Sequence, residues 1–456
     1  PIFFFFSTQS IREGEYASNK TTKDIFEKEL HAYTITNAID DRNVLRFHID
    51  YFEGQGNIKP KVGETITQQA IVETIIEKHN AATNSKRFNA VLATASINNA
   101  IEYYNLFKEI QKQKQKTDKD FIPLNVVCVF SPPAEGNKDI QQIQEDLEQE
   151  KEDNKQNPDE KKAALKSIIK DYNKQYGTNH SIYEFDLYYQ DIQKRIKDHK
   201  YSNSDYHHKN KIDIVIVVDM LLTGFDSKYL NTLYVDKNLK YHGLIQAFSR
   251  TNRVLNDTKP YGNILDFRHQ ETSVNEAIAL FSGEKSDEEA KKIWLVDPAP
   301  VVIAKYKEAV VALGDFMTQN NLACEPQAVY NLKGDAARIA FVKNFKEVQR
   351  LKTQLDQYTD LDEDQKTVIE SILPEENLRS FRSSYIETAK QFREIQQKQG
   401  DQAPVEVQQL DFEFVLFASA VIDYDYIMEL IADSTQKKPT KQKMTKGQII
   451  SLLSSN

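Results

Sequence analysis

Only two cysteines occur in the 456 residues, Cys128 and Cys324, far apart and without metal-ligand spacing. A multi-disulfide framework and a cysteine-based metal site are thereby excluded, and both thiols are expected to be reduced core residues of a cytoplasmic chain. No apolar run approaches the roughly 20 residues that a membrane-crossing helix needs. The run Phe3-Phe4-Phe5-Phe6 is too short for a signal peptide and lacks its basic flank. An excess of positive charge is missing as well. With a net charge of -9, contact with nucleic acid would depend on local patches, not on global attraction. A missing dipeptide is more telling. Gly-Lys occurs nowhere, so the chain has no G-x-x-x-x-G-K-[ST] loop to cradle nucleotide phosphates. What is present is ordinary: 40% hydrophobic and 28% charged residues, enough to build a core across two or three domains.

The apolar run Ile212 to Val218 has the short, β-branched character of a strand buried on both faces of a parallel sheet. Asp219-Met220-Leu221-Leu222-Thr223-Gly224-Phe225-Asp226 follows it. Ligands of open α/β sheets bind outside the carboxyl ends of the strands, so Thr223, Gly224 and Asp226 are expected on a loop at that edge. Gly224 lets a phosphate or a facing domain approach the backbone. About twenty residues later comes Gln246-Ala247-Phe248-Ser249-Arg250-Thr251-Asn252-Arg253. At roughly 100° per helical residue, Leu244, Phe248 and Leu255 share an apolar face while Gln246, Arg250 and Arg253 project from the other. A guanidinium is a permanent forked donor suited to phosphoryl oxygens. Taken singly, Arg-x-x-Arg reads as the polar face of a solvated amphipathic helix with ordinary surface arginines.

Elsewhere Phe88 to Thr94 reads as a strand and Ser96 as the N-cap of a helix after it. Leu124 to Phe130 is another strand, ended by Ser131-Pro132-Pro133. A polar stretch, about 134–210, follows, with helical pieces at Ala163 to Ile169 and Ile192 to Ile196; its charge runs suggest solvated helix faces. Gly262 to Phe267 is a last strand. From about Glu271 the periodicity is helical, with core stripes at Phe341, Phe345, Val348 and Leu355, at Tyr385, Ala389 and Phe392, and at Phe414, Phe417, Val421 and Tyr424. Trp294 to Pro298, with Pro300, marks the entry to this helical region. Lys437 to Lys446 forms a basic tail.

In order and spacing, the Thr-Gly-Phe-Asp loop and the Gln-x-x-x-Arg-x-x-Arg segment resemble motifs V and VI of superfamily 2 helicases. The wording of Val218 to Lys228, Leu230 to Lys237 and Tyr241 to Gln246, with Glu29-Leu-His-Ala-Tyr33 upstream, resembles the R (restriction and motor) subunit of type I restriction enzymes. The resemblance covers most of the chain and is densest over 211–268. It implies a RecA-like parallel α/β domain, the second motor domain, over about 29–270, and an all-α domain over 271–456, with 1–28 as a hinge passage. It implies roles for Arg250 and Arg253 as γ-phosphate arginines, Arg253 being the preferred finger. Gln246 would be a positioning polar group, and Thr223, Gly224 and Asp226 a loop coupling ATP to DNA. Thr94 and Ser96 resemble motif IV, where hydroxyls and helix N-termini grip DNA phosphates. The implied cofactors are ATP and Mg2+, the implied partners duplex DNA and the methyltransferase and specificity subunits. A start at Pro1-Ile2-Phe3 would place a nuclease and a first motor domain upstream, and the ATP site would be completed there. No metal ligand is expected in this chain. Two other readings stay open, another superfamily 2 helicase or remodeller and a non-catalytic module derived from a motor.

Overall fold

The structure, a computed structural model, describes residues 33–52, 67–136, 138–197, 208–282 and 286–399. Phe3 to Phe6, the 1–28 passage, the stripe at Phe414 to Tyr424 and the basic tail lie outside the described residues.

Six strands form one sheet: β1 (Phe47–Tyr51), β2 (Asn89–Thr94), β3 (Val126–Cys128), β4 (Ile214–Val217), β5 (Leu230–Asp236) and β6 (Gly262–Asp266). Their order is β1-β6-β5-β2-β4-β3 and every pairing is parallel. This is the parallel α/β sheet expected of a RecA-like domain. Strands β2, β4, β5 and β6 are buried at every position. That explains their continuous apolar wording, because a sheet covered on both faces has no polar side to alternate. The strand expected over Leu124 to Phe130 pairs only at Val126–Cys128. β1, at one edge, was not evident in the sequence; its His48 and Asp50 interrupt the apolar pattern.

The helices before and within the sheet are α1 (Ile35–Asp40), α2 (Gln68–Ala82), α3 (Ile97–Thr117), α4 (Lys138–Ile143), α5 (Glu148–Asp153), α6 (Pro158–Tyr176), α7 (Phe185–Lys197) and α8 (Tyr241–Phe248). Ser96 caps α3 as expected, its side chain accepting from Asn99 N at 3.2 Å. The insertion after β3, made of α4 to α7, is not simply a solvated set of helices. Leu165, Ile168, Ile169, Tyr172, Tyr188, Ile192 and Ile196 are buried in the same core as the sheet. The composition of these helices is polar because only one stripe of each turns inward.

Beyond β6 come α9 (Glu271–Phe281), α10 (Asp287–Trp294), α11 (Ala299–Gln319), α12 (Asp335–Asp356), α13 (Glu363–Ile372) and α14 (Glu375–Gln399). Two compact units result. One runs to Lys305 and takes in Arg350–Lys366; the other comprises Tyr306–Gln349 and the chain from Thr367 onward. The sheet-bearing unit therefore extends past residue 270. Trp294 explains why. Its indole donates to Thr36 Oγ1 at 2.8 Å and its ring packs 6.3 Å from that of Phe47 on β1, so α9 and α10 belong with the sheet. Arg350–Lys366 is pinned to β1 in the same unit by His48 to Asp360, 3.1 Å, and by Thr359 Oγ1 donating to Asp50 at 2.8 Å. In the second unit Phe345 packs on Phe381 at 5.8 Å and on Tyr385 at 5.4 Å. Phe341, Phe345, Val348, Leu355, Tyr385, Ala389 and Phe392 are all buried, as their spacing requires. Cys128 is buried but Cys324 is exposed, which corrects the expectation of two core thiols; Cys324 follows the end of α11 and has no helical stripe to turn it inward.

Candidate functional site

Parallel strands impose a crossover between β4 and β5, and that crossover carries the Thr223-Gly224-Phe225-Asp226 segment. β4 ends at Val217 and β5 begins at Leu230 on the far side of β2. Residues 218–229 must therefore run from the carboxyl edge of the sheet to its amino edge, about the shortest length that can do so. Val218, Met220, Leu221, Leu222 and Phe225 are buried along the way, which fixes this connector to the sheet. Thr223, Gly224 and Asp226 are exposed between them. Gly224 has φ +67°, a conformation a side chain would strain. Leu221 adopts φ +66° despite its side chain, and such a residue persists only where its surroundings hold it.

The arginines meet this connector at its lower end. α8 stops at Phe248, so Arg250 and Arg253 do not continue its polar face. The turn after it sends Thr251 and Asn252 inward, where both are fully buried, and separates the arginines' surroundings. Arg250 is half-buried. Its Nε donates to the carbonyls of Leu222 and Gln246, 3.2 Å each, and its Nη1 donates to Phe225 O. Burial, and then neighbouring Arg253, lower its pKa from the usual arginine value. Arg253 is more open, and its Nε donates to Asp226 Oδ1 at 2.5 Å. Gln246, on α8, contributes its backbone oxygen to Arg250 and is half-buried itself.

The site's place on the sheet departs from expectation. Arg253 bridges Val44, and Leu45 N donates to Asn252 O at 2.7 Å, just before β1 begins. The Asp226–Arg253 pair thus lies toward the amino edge of the strands, because a crossover to a parallel strand has to descend. Lys259, absent from any motif, supports the same end. It is fully buried and its Nζ donates to Lys228 O at 2.9 Å and Leu230 O at 2.8 Å. Burial, and secondarily Arg253, push its pKa far below the ordinary lysine value. A lone lysine after a turn gives no sequence signal for this role.

Thr94 and Ser96 stand apart from the arginines, at the carboxyl edge. Thr94 is fully buried and its hydroxyl donates to Val217 O at 3.0 Å, so it braces β2 to β4 and presents nothing to a phosphate. Ser96 is spent on its cap, and the next amide, Ile97 N, donates to Asp153 Oδ2 of the insertion at 2.7 Å. Both groups bond within the fold.

Two family models match the chain: Type I restriction enzyme subunit R domain 3 over residues 86–269, and the C-terminal region of the type I restriction and modification enzyme subunit R over 294–456. The chain belongs to the R subunits of type I restriction enzymes. The SsaAORF53P endonuclease subunit of Staphylococcus saprophyticus is 31% identical over 99% of this chain and 46% of its own length. The SauCOLORF180P endonuclease subunit of Staphylococcus aureus strain COL is 28% identical over the same shares. The chain thus spans about half the length of the curated relatives it matches. The solved structure of the ATP-dependent type ISP restriction-modification enzyme LlaBIII bound to DNA aligns with a TM-score of 0.29 and 12% identity, over 87% of this chain and 30% of that one; membership rests on the sequence matches. The first model covers the connector, both arginines and the insertion. Among the described residues no helix is long and apolar enough to cross a membrane.

Proposed function

We propose that this chain is the second motor domain and helical region of an R subunit that couples ATP hydrolysis to translocation of duplex DNA and its endonucleolytic cleavage. The Asp226–Arg253 contact carries this reading, since it joins the two helicase-like segments in space at an exposed position. Arg253 is the finger. A guanidinium has five donors, and Asp226 accepts from Nε, so the fork retains donors for a phosphoryl group. Arg253 then stabilises charge that grows on the departing γ-phosphate. Arg250 ties the connector, through the carbonyls of Leu222 and Phe225, to α8, through that of Gln246, and acts through position. Thr223 and Gly224, exposed on the connector, face DNA or the other motor domain.

ATP with Mg2+ would supply the phosphoryl group and its charge neutralisation. The sequence has no Gly-Lys loop to cradle phosphates, so the nucleotide's remaining contacts are assigned to the facing motor domain. Methyltransferase and specificity subunits would anchor the assembly at its recognition sequence. The test compares this chain with an R subunit of full length that contains it. The chain alone should show no DNA-stimulated ATP hydrolysis and only weak, sequence-indifferent DNA binding that falls steeply with salt. Robust hydrolysis by the isolated chain, or selective binding that survives high salt, overturns the reading.

A further inference from the structure

The insertion between β3 and β4 grips the connector at two places, and its deepest contact is a carboxylate. Glu150, on α5, is fully buried. Its Oε2 accepts from Ser131 N at 2.6 Å, and its Oε1 accepts from Asp219 N at 3.0 Å and Met220 N at 3.2 Å. The grip is reciprocal. Asp219 Oδ2 accepts from Gln149 N at 3.1 Å and Glu150 N at 3.4 Å, while Lys237 Nζ donates to Asp219 Oδ1 and Val218 O. At the connector's other end Ser227 Oγ donates to Ile196 O, the penultimate residue of α7, at 2.8 Å. Between these anchors lie Leu221, with its left-handed φ, and Thr223 to Asp226.

We propose that the insertion is a brace for the connector and that Glu150 is its positioning residue, setting the segment so that Asp226 meets Arg253. The chemistry favours a carboxylate over any neutral group of its size. Three backbone N–H groups converge on its two oxygens, and only an ionised carboxylate offers acceptors on both. Burial raises the Glu150 pKa against the lowering effect of the Ser131 and Asp219 bonds. Leu221 supplies the reason a brace is needed, since an unsupported leucine leaves the left-handed region. The consequence for turnover rests on the reading of the Asp226–Arg253 pair given above; the brace itself does not.

Glu150→Gln tests it in the full 456-residue chain, because one oxygen becomes an NH2 facing backbone donors. Residue-resolved amide exchange and the Arg253 Nε–H resonance are followed, with Trp294 fluorescence as the check on folding. Exchange should quicken about tenfold or more at Ser131, Asp219, Met220 and through the connector. The Arg253 signal should shift, while β1 and β6 amides stay as in the wild type. Lys162→Ala, which removes an insertion contact to Glu135 remote from the connector, should change none of these. An unaltered connector and Arg253 signal in folded Glu150→Gln overturns the proposal, and so does equal loosening of the whole sheet. Should Glu150→Gln fail to fold, Glu150→Asp decides on the same readout, for it keeps the charge but is too short to reach both Ser131 and Asp219. In the R subunit, a loosened connector with undiminished turnover leaves the brace standing and refutes the catalytic reading of the pair.

Discussion

Arg250 and Arg253 are alike in sequence, yet the structure assigns them opposite tolerances, and substituting each by alanine measures the difference. Arg250 donates to the carbonyls of Leu222, Gln246 and Phe225. Truncation removes a charged donor from acceptors that lie inside the fold, and bonds to charged groups contribute about 1.5–3 kcal/mol. These bonds share one side chain and do not add, so Arg250→Ala should cost about 3 kcal/mol. Arg253 pairs with Asp226 where their side chains are 38% and 63% exposed, and exposed pairs contribute about 0–1 kcal/mol. Arg253→Ala should therefore cost under about 1 kcal/mol. Trp294 is the sole tryptophan and is buried in the sheet-bearing unit, so its fluorescence in urea reports the unfolding of the unit that holds both arginines. With a slope of about 3 kcal/mol/M, the Arg250 variant's midpoint should fall on the order of 1 M and the Arg253 variant's by less than about 0.3 M, slopes unchanged. In the R subunit Arg253→Ala should nonetheless lower ATP turnover on the order of a thousandfold, and Arg253→Lys should rescue little, since an ammonium lacks the fork. Equal midpoint shifts for the two variants, or a larger one for Arg253→Ala, would refute the division of labour.

Two further outcomes follow from buried positions. His79 is fully buried beside Tyr234, whose hydroxyl lies 2.9 Å from Nδ1, and burial lowers its pKa to about 4 from 6.5. The fold therefore holds the neutral ring, so this stability is complete above pH 6.5 and is lost as pH falls toward 4. The loss is about 3 kcal/mol at 1.36 kcal/mol per unit, and His79→Gln should flatten that part of the pH–stability curve in urea titrations; an unchanged slope counts against it. A Cβ on Gly262 would lie 2.3 Å from Thr251 Oγ1 and 3.1 Å from its backbone carbon. Gly262→Ala should destabilise the sheet-bearing unit by about 1–3 kcal/mol, and adding Thr251→Ala should recover part of this; no recovery would mean that the clash lies elsewhere.

Local patterning in the chain already specifies the strands β2, β4 and β6, the cap at Ser96, the buried stripes of α12 and α14, and the family. These are local or linear properties: an apolar run too short for a helix, a hydroxyl before a helix, a repeat of three and four, a fixed order of words. Tertiary structure decided the rest of the site. Helical spacing put Arg250 and Arg253 on one face, but the helix ends at Phe248 because Thr251 and Asn252 turn into the core, and one arginine became an anchor while the other met Asp226. The connector was expected at the carboxyl edge, yet a parallel neighbour forces it across the sheet. Thr94 spent its hydroxyl on β4, a strand more than a hundred residues away in the chain. Glu150 and Lys259 carried no signal at all, since a charged residue in a polar stretch looks solvated until distant backbone groups close around it. Burial and the direction of a crossover depend on contacts between segments far apart in sequence, and only the folded chain brings those contacts into being.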